Sequence, residues 1–376
     1  MNNHYDAIIL GAGIVGTACA LECVLAGLSV AVVDRESAGR GGATAAGMGH
    51  IVVMDDSSAQ FALTLYSQSL WRELSAELPE SVEYHQPGTI WVAADDEEMA
   101  EVRRKLAFLQ SQGVVAETLG DRALADAEPQ LNRDLAGGLL VTSDAALYPP
   151  AAAQYMLQKA LRQRAVLTLF EGQVVVSAAH GTVTLQNGTV LRSPRIVNAI
   201  GALAPSLTPG IAVRKRKGHL TITASSPGFV RHQVVELGYL KSAHSIASDS
   251  VAFNVQPRRN GQLVIGSSRQ YDSEDPAVEP EIVAAMMERA VRYMPGIAGL
   301  TQERVWCGFR AATPDKLPLI GPAPGPSEDP TIFLATGHEG LGITTSLATA
   351  RLLVDHFLGR ESAIPIMPYL PGRMAN

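Results

Sequence analysis

At 376 residues, with 47% hydrophobic residues, 18% charged residues and 34 glycines, the chain is too long for one simple core and suits a two-domain α/β enzyme rich in tight turns. Its formal net charge of −7 argues against nucleic acid or an anionic membrane as principal partner. Cys19, Cys23 and Cys307 form neither a metal nor a disulfide pattern and no apolar span reaches membrane length, so a cytoplasmic protein with no signal peptide is expected.

The first predicted strand, Ala7-Ile8-Ile9-Leu10, ends at Gly11, and Gly13 and Gly16 complete a G-x-G-x-x-G turn. A helix follows over Ile14 to Ala26, then a second strand over Ser29 to Val33 that ends on Asp34. Gly11 makes the tight turn, Gly13 lets backbone approach a pyrophosphate, and Gly16 lets helix and strand pack closely. The helix start offers unpaired N–H groups to phosphate, and Asp34 can accept hydrogen bonds from an adenosine ribose. An adenine dinucleotide is therefore expected, against the blander reading of a phosphate-free βα turn.

A second glycine-rich stretch, Gly39 to Gly49, follows closely, with Thr44 as a hydroxyl donor. A nicotinamide cofactor has no evident need of it, whereas a dinucleotide with a ribityl chain does; the alternative is a surface loop. Helices are predicted over Ser57 to Leu78, Asp96 to Gln112 and Tyr155 to Arg164, with a strand over Thr89 to Ala93. Short strands at Gln173 to Ser177, Thr182 to Gln186 and Val190 to Arg192 carry an Asn187-Gly188 hairpin turn, and Arg195 to Gly201 reads as a buried strand ending in glycine. Arg214-Lys215-Arg216-Lys217, the one basic run, reads as a solvated strand edge. Strand alternation then runs from Lys217 to Ser268 with a second hairpin signal at Asn260-Gly261, and a helix is predicted over Pro280 to Met294. A proline-rich connection leads to a strand over Ile332 to Ala335, the turn Thr336 to Gly342, and a long helix over Ile343 to Leu358. Glycine-rich strand-to-helix turns at both ends suggest one cofactor site built from both termini.

Five segments together resemble the D-amino-acid oxidase family of flavoproteins, which includes glycine oxidase, sarcosine oxidase and hetero-oligomeric amino-acid and opine dehydrogenases. They are Gly11 to Gly16, Gly42-Ala-Thr-Ala-Ala-Gly47, Val197-Asn-Ala-Ile-Gly201-Ala, Gly308 to Gly321 with its Thr-Pro-Asp stretch, and Ala335 to Gly342. The ending Gly337 to Thr344 looks most like catalytic subunits of D-hydroxyproline and opine dehydrogenases. The resemblance implies a Rossmann-like α/β FAD domain formed by 1–80, 145–212 and 306–376. A discontinuous α+β, mixed-sheet substrate domain would span 81–144 and 213–305.

The resemblance places FAD on Gly11, Gly13, Ile14, Gly16, Asp34, Arg35, Gly42, Ala43, Thr44, Gly47, Met48, Gly49, Val174, Ala199, Gly201, Gly337, His338, Gly340, Gly342, Ile343 and Thr344. Arg310 matches the arginine that pairs with a substrate carboxylate, a task suited to the planar guanidinium fork; the alternative is an ion pair to Asp315 or solvent. The flavin-attaching cysteine of sarcosine-type oxidases falls on Gly308, with Cys307 one residue off, so noncovalent FAD is expected. Their oxygen-promoting lysine falls on Val264, which implies slow reaction with oxygen.

The expected reaction is oxidation of a small amino or cyclic imino acid, of D-hydroxyproline or proline type, by hydride transfer from the α-carbon to flavin N5. A glycine or sarcosine-type oxidase and a noncatalytic electron-transfer subunit are the alternatives. His50 and His338 are candidate catalytic residues beside the flavin, each weighed against a purely structural role. Glu339, Tyr148, Tyr239, Tyr271, His244 and Asn254 are weaker candidates. An electron-accepting partner subunit or quinone, and an oligomeric assembly, are implied.

Overall fold

The computed structural model describes residues 3–238, 250–271, 273–324 and 329–374. Tyr239 and His244 lie outside the described residues. Two sheets organise the chain, and the site lies where they meet.

The first sheet has six strands in the order Leu319–Pro322, Ile332–Thr336, Ile196–Asn198, Ala7–Leu10, Val30–Asp34 and Leu167–Glu171. All neighbours pair in parallel except Leu319–Pro322, an antiparallel edge. Ala7–Leu10 and Val30–Asp34 are uniformly apolar up to the terminal Asp34 because both of their faces are covered. Ala7, Ile9, Val30 and Val32 pack under helices, among them Ile14–Leu25, Pro149–Leu161 and Gly342–Leu358. Ile8, Leu10, Ala31 and Val33 pack against Val183, Leu185 and Leu191 of a three-stranded meander, whose Asn187-Gly188 turn closes as expected.

The second sheet has eight strands in the order Gln302–Ala312, Arg214–Thr223, Leu263–Arg269, Ser250–Pro257, Gln233–Glu236, Thr89–Ala93, Gly137–Val141 and Ala116–Gly120. Its one parallel pair is Gln233–Glu236 with Thr89–Ala93. Helix Pro280–Tyr293 covers one face through Ala290 and Tyr293 against Phe253, Val255 and Ile265. Helix Asp96–Ser111 covers Trp91, Leu139 and Val235 at the far end of the sheet. The expected boundary at residue 306 falls inside strand Gln302–Ala312, which belongs wholly to this sheet.

The basic run is not a solvated edge. Only its start is exposed: Arg216 is 5% accessible and paired with Glu339, and Lys217 is 0% accessible with Nζ 2.6 Å from Glu279 Oε1. A buried charge is tolerated only when a partner offsets its lost hydration, and both have one.

Candidate cofactor and substrate site

The two glycine-rich N-terminal stretches meet. Thr44, in the short helix Gly42–Ala46, places its hydroxyl at the start of helix Ile14–Leu25, where it accepts a hydrogen bond from Ile14 N–H at 2.9 Å. A Cβ on Gly13 would lie 3.0 Å from Thr44 Oγ1, and one on Gly16 only 1.9 Å from the Gly11 carbonyl oxygen. Gly11 has φ +100°, and a Cβ there would lie 2.7 Å from the Ala199 carbonyl oxygen. Gly11 and Gly16 are thus required by backbone proximity, and Gly13 by the Thr44 hydroxyl. Asp34 takes one backbone N–H on each carboxylate oxygen, from Ala12 at 2.5 Å and Glu36 at 2.8 Å. Beside this turn, Gly42 and Gly201 face open space, whereas Arg35 and Ala43 lie on the surface. Val174 is half-exposed past the edge strand, with its carbonyl accepting from Gln186 N–H at 2.8 Å. An N-terminal helix dipole, close-approach glycines and a hydroxyl in one cradle fit the pyrophosphate of FAD.

The cradle continues along Gly47 to His50 into the junction of the two sheets. A Cβ on Gly47 would lie 2.8 Å from Ile343 Cδ1, so this loop touches the start of the C-terminal helix. Gly49, at φ +120°, abuts the Leu147 carbonyl, where a Cβ would come within 1.9 Å. Met48 packs with Leu220, Ile222 and Val264 of the second sheet. Thr344 Oγ1 donates to the His50 carbonyl at 2.9 Å and accepts from Val52 N–H at 3.3 Å, while Trp71 Nε1 donates to the Ile343 carbonyl at 3.1 Å.

The His50 ring ties the loop Gly47 to His50 to the second sheet. Its Nδ1 bonds Gln233 Oε1, so Nδ1 carries the proton, and its Nε2 accepts from Asn254 Nδ2 at 3.1 Å. Burial pushes its pKa below the usual histidine value despite those bonds. A neutral imidazole with both nitrogens used orients groups; it has no free nitrogen for proton transfer. His338 is also buried: its Nε2 lies 3.0 Å from Thr349 Oγ1, and burial lowers its pKa to about 3.

Arg310 extends from strand Gln302–Ala312, opposite Arg216. Its guanidinium covers Gly218, where a Cβ would lie 2.3 Å from Nη1, and Nη1 donates to the Ser268 carbonyl at 3.0 Å. The turn after Thr336 folds against the same strand through Glu339 N–H to the Ala311 carbonyl at 2.9 Å, which brings Gly340 beside the Arg310 side chain. Gly337 and Gly342 flank this turn, and Gly337 adopts φ +78°. Asp315 pairs with Arg373 at 2.8 Å. Glu339 is buried and bound to Arg216; burial raises its pKa while Arg216 and Arg310 oppose the rise. Tyr271 also reaches this corner, its hydroxyl 3.1 Å from Arg216 Nη1. Tyr148 is instead stacked on Arg258 at 4.4 Å.

Gly308 and Cys307 alternate across strand Gln302–Ala312. Gly308 faces the cofactor loop, since a Cβ there would lie 2.4 Å from Ala46 Cβ, whereas Cys307 Sγ lies 2.9 Å from the Pro276 carbonyl. A thiol directed there cannot attach a flavin held by Gly42–Ala46. Acid precipitation is expected to release all yellow colour into the supernatant; colour kept in the pellet would contradict this.

Asp144 escaped the sequence reading because an acid before an apolar pair carries no motif. It is wholly buried, its Oδ1 accepting from Val53 N–H at 3.2 Å and Gln68 Nε2 at 3.0 Å. Burial raises its pKa to about 7 despite those hydrogen bonds. The unfolded value is ~3.9, so its contribution to stability is complete below that value and is lost as pH rises towards the folded value. Asp144→Asn stays neutral and keeps the acceptor. Its melting temperature relative to wild type is expected to climb between about pH 4 and the folded pKa, then level off. A difference that does not change with pH would refute this.

Comparison with known proteins agrees with this geometry. A family model described as DAO, FAD dependent oxidoreductase, matches residues 6–356. The chain is 27% identical to hydrogen cyanide synthase subunit HcnC of Pseudomonas aeruginosa, over 99% of this chain and 97% of that protein. It is 27% identical to glycine oxidase of the same organism, over 98% and 99%. The fold superposes on glycine oxidase from Geobacillus kaustophilus with a TM-score of 0.87, 24% identity and 99% coverage of both chains. It also superposes on L-proline dehydrogenase from P. horikoshii with a TM-score of 0.87, 21% identity and coverage of 100% and 99%.

Proposed function

Since the chain belongs to the FAD dependent oxidoreductase family and is an FAD-dependent enzyme acting on CH–NH bonds, we propose that it is a dehydrogenase of a small amino or cyclic imino acid. D-hydroxyproline or proline is the substrate class we assign. The reading rests chiefly on Arg310, a guanidinium laid over Gly218 at the corner where the C-terminal turn joins the second sheet. Its fork binds both oxygens of a carboxylate and stays charged when partly buried. Bound FAD supplies the acceptor for the α-carbon hydride.

The protein's own part is positioning, which can supply much of a barrier reduction without an acid or base. Arg310 fixes the carboxylate end. His50 and His338 are neutral and hydrogen-bonded, and Glu339 is tied to Arg216. The substrate therefore reacts as its neutral amine, with its proton released to water before the chemical step. The expected outlet for electrons is a quinone, a dye or a partner subunit.

A glycine-type oxidase is the second reading, favoured by the glycine oxidase relative. Val264 favours the dehydrogenase reading. It lies in an apolar cluster with Met48, Leu220 and Ile222, so it offers no positive charge to assist oxygen reduction. After anaerobic reduction by substrate, reoxidation by air-saturated buffer is expected to be far slower than by an artificial dye in stopped-flow mixing. Equal rates would make the protein an oxidase, and Val264→Lys should quicken the oxygen reaction. An anaerobic screen of D- and L-amino acids, prolines, sarcosine and opines for flavin bleaching tests the substrate class; no bleaching by any would defeat it.

A further inference from the structure

We infer that Glu339 is a specificity-determining residue that confines the site to substrates with a single carboxylate, so that opines and dicarboxylic amino acids are not substrates. This inference rests on the reading of Arg310 as the carboxylate anchor. Arg310 and Arg216 stand directly opposite each other on neighbouring antiparallel strands and so share a face of the second sheet. That face is turned to the cofactor loops. Gly308, on the strand of Arg310, meets Ala46, where an added Cβ would lie 2.4 Å from Ala46 Cβ, and Leu220, on the strand of Arg216, packs with Met48. A ligand carboxylate on Arg310 therefore has Arg216 as its neighbouring guanidinium.

Two guanidiniums so placed would by themselves suit a dicarboxylate, since each fork can take one carboxylate. Glu339 changes that balance. It is bonded to Arg216, and a carboxyl group held by an always-ionised guanidinium is a carboxylate. The C-terminal turn delivers it there: Glu339 N–H donates to the Ala311 carbonyl at 2.9 Å, and a Cβ on the next residue, Gly340, would lie 3.6 Å from Arg310 Nε. Glu339 adopts φ +52°, a left-handed conformation that strains any residue but glycine and that collects at functional sites. Arg310, Arg269 and Lys316 also act on its carboxyl group electrostatically. Glu339 need not touch the substrate. It occupies the cation that a second carboxylate would need, and it repels that carboxylate in a nearly buried corner where salt screens little.

The test uses ligands that do not reduce the flavin. Succinate and succinamate each offer one carboxylate to Arg310 and differ only at the far end, a second carboxylate against a neutral amide. Glutarate and glutaramate repeat the comparison with a longer reach. Holoenzyme titrated with each, followed by the absorbance of the bound flavin, should bind the amide of each pair more tightly than the diacid. Glu339→Gln keeps the shape and an oxygen for Arg216 but removes the charge, so the amide-to-diacid affinity ratio should move at least about tenfold towards the diacid, the scale of one charged hydrogen bond. An unchanged ratio in the variant, with both ligands bound, would make Glu339 a structural strut and leave Arg310 as the anchor. Failure of the wild type to bind any of the four would remove the Arg310 reading and this inference with it. Should Glu339→Gln not fold or not hold FAD, the wild type decides: equal or tighter binding of the diacids would overturn the inference.

Discussion

Gly13→Val is expected to purify as folded, colourless protein. The side chain would begin 3.0 Å from Thr44 Oγ1, the atom that accepts from Ile14 N–H. Its two methyl groups would occupy the space before the first free N–H groups of the helix, where a phosphate must approach. No backbone atom lies within 4 Å of that Cβ outside its chain neighbours, so the fold itself is spared. Gly16→Val differs sharply, because its Cβ would come within 1.9 Å of the Gly11 carbonyl oxygen and the strand-to-helix turn could not close. Far-UV circular dichroism with the flavin absorbance separates the two: native ellipticity without colour for Gly13→Val, loss of both for Gly16→Val. A ligand at 100 times its Kd stabilises the folded state by about 2.7 kcal/mol. Added FAD should therefore raise the melting temperature of wild type and leave Gly13→Val unmoved. A yellow Gly13→Val protein would take the pyrophosphate away from this turn.

Why the cradle was legible and its surroundings were not follows from the range of the forces involved. Gly11 and Gly16 are dictated by contacts within one βα unit and to the adjoining strand, and Gly13 caps the helix of that same unit, so the three show as a local spacing. The helix Ile14–Leu25 and the hairpins at Asn187-Gly188 and Asn260-Gly261 are equally local. By contrast, Gly137 and Gly138 open strand Gly137–Val141, which no sequence signal announced. A Cβ on Gly137 would come within 2.4 Å of the Leu119 carbonyl and one on Gly138 within 2.8 Å of the Trp91 carbonyl. Close packing of strands far apart in sequence selects those glycines, and no local pattern reports it. Strand Ala116–Gly120 was also missed, since Ala-Glu-Thr-Leu-Gly lacks an apolar alternation at its edge position. The helix at Pro149–Leu161 begins earlier than periodicity suggested because Pro149 occupies its first turn. Arg216 and Lys217 read as solvent-facing because their partners, Glu339 and Glu279, are distant in sequence. His50 and Asn254 were both singled out, but their hydrogen bond exists only because the loop Gly47 to His50 meets the second sheet, 204 residues away in sequence.

Arg310→Leu is expected to lower kcat/KM for the amino or imino acid by at least about tenfold while FAD remains bound. A hydrogen bond to a charged group contributes roughly 1.5–3 kcal/mol, and about 1.4 kcal/mol is a factor of ten. The cofactor should be retained because Arg310 is anchored on strand Gln302–Ala312, over Gly218, outside the glycine cradle. The leucine variant also leaves the Arg216 and Glu339 pair in place, so the corner keeps its charged support. Arg310→Lys should recover part of the loss, since an ammonium restores charge without the two-pronged geometry. A substrate amide with no carboxylate charge provides the control. It should be a poor substrate for wild type and nearly indifferent to the leucine substitution, because the interaction that distinguishes acid from amide is already absent. Equal losses for acid and amide would indicate that Arg310 acts by shaping the strand through its bond to the Ser268 carbonyl, and unchanged kinetics would remove it from the site.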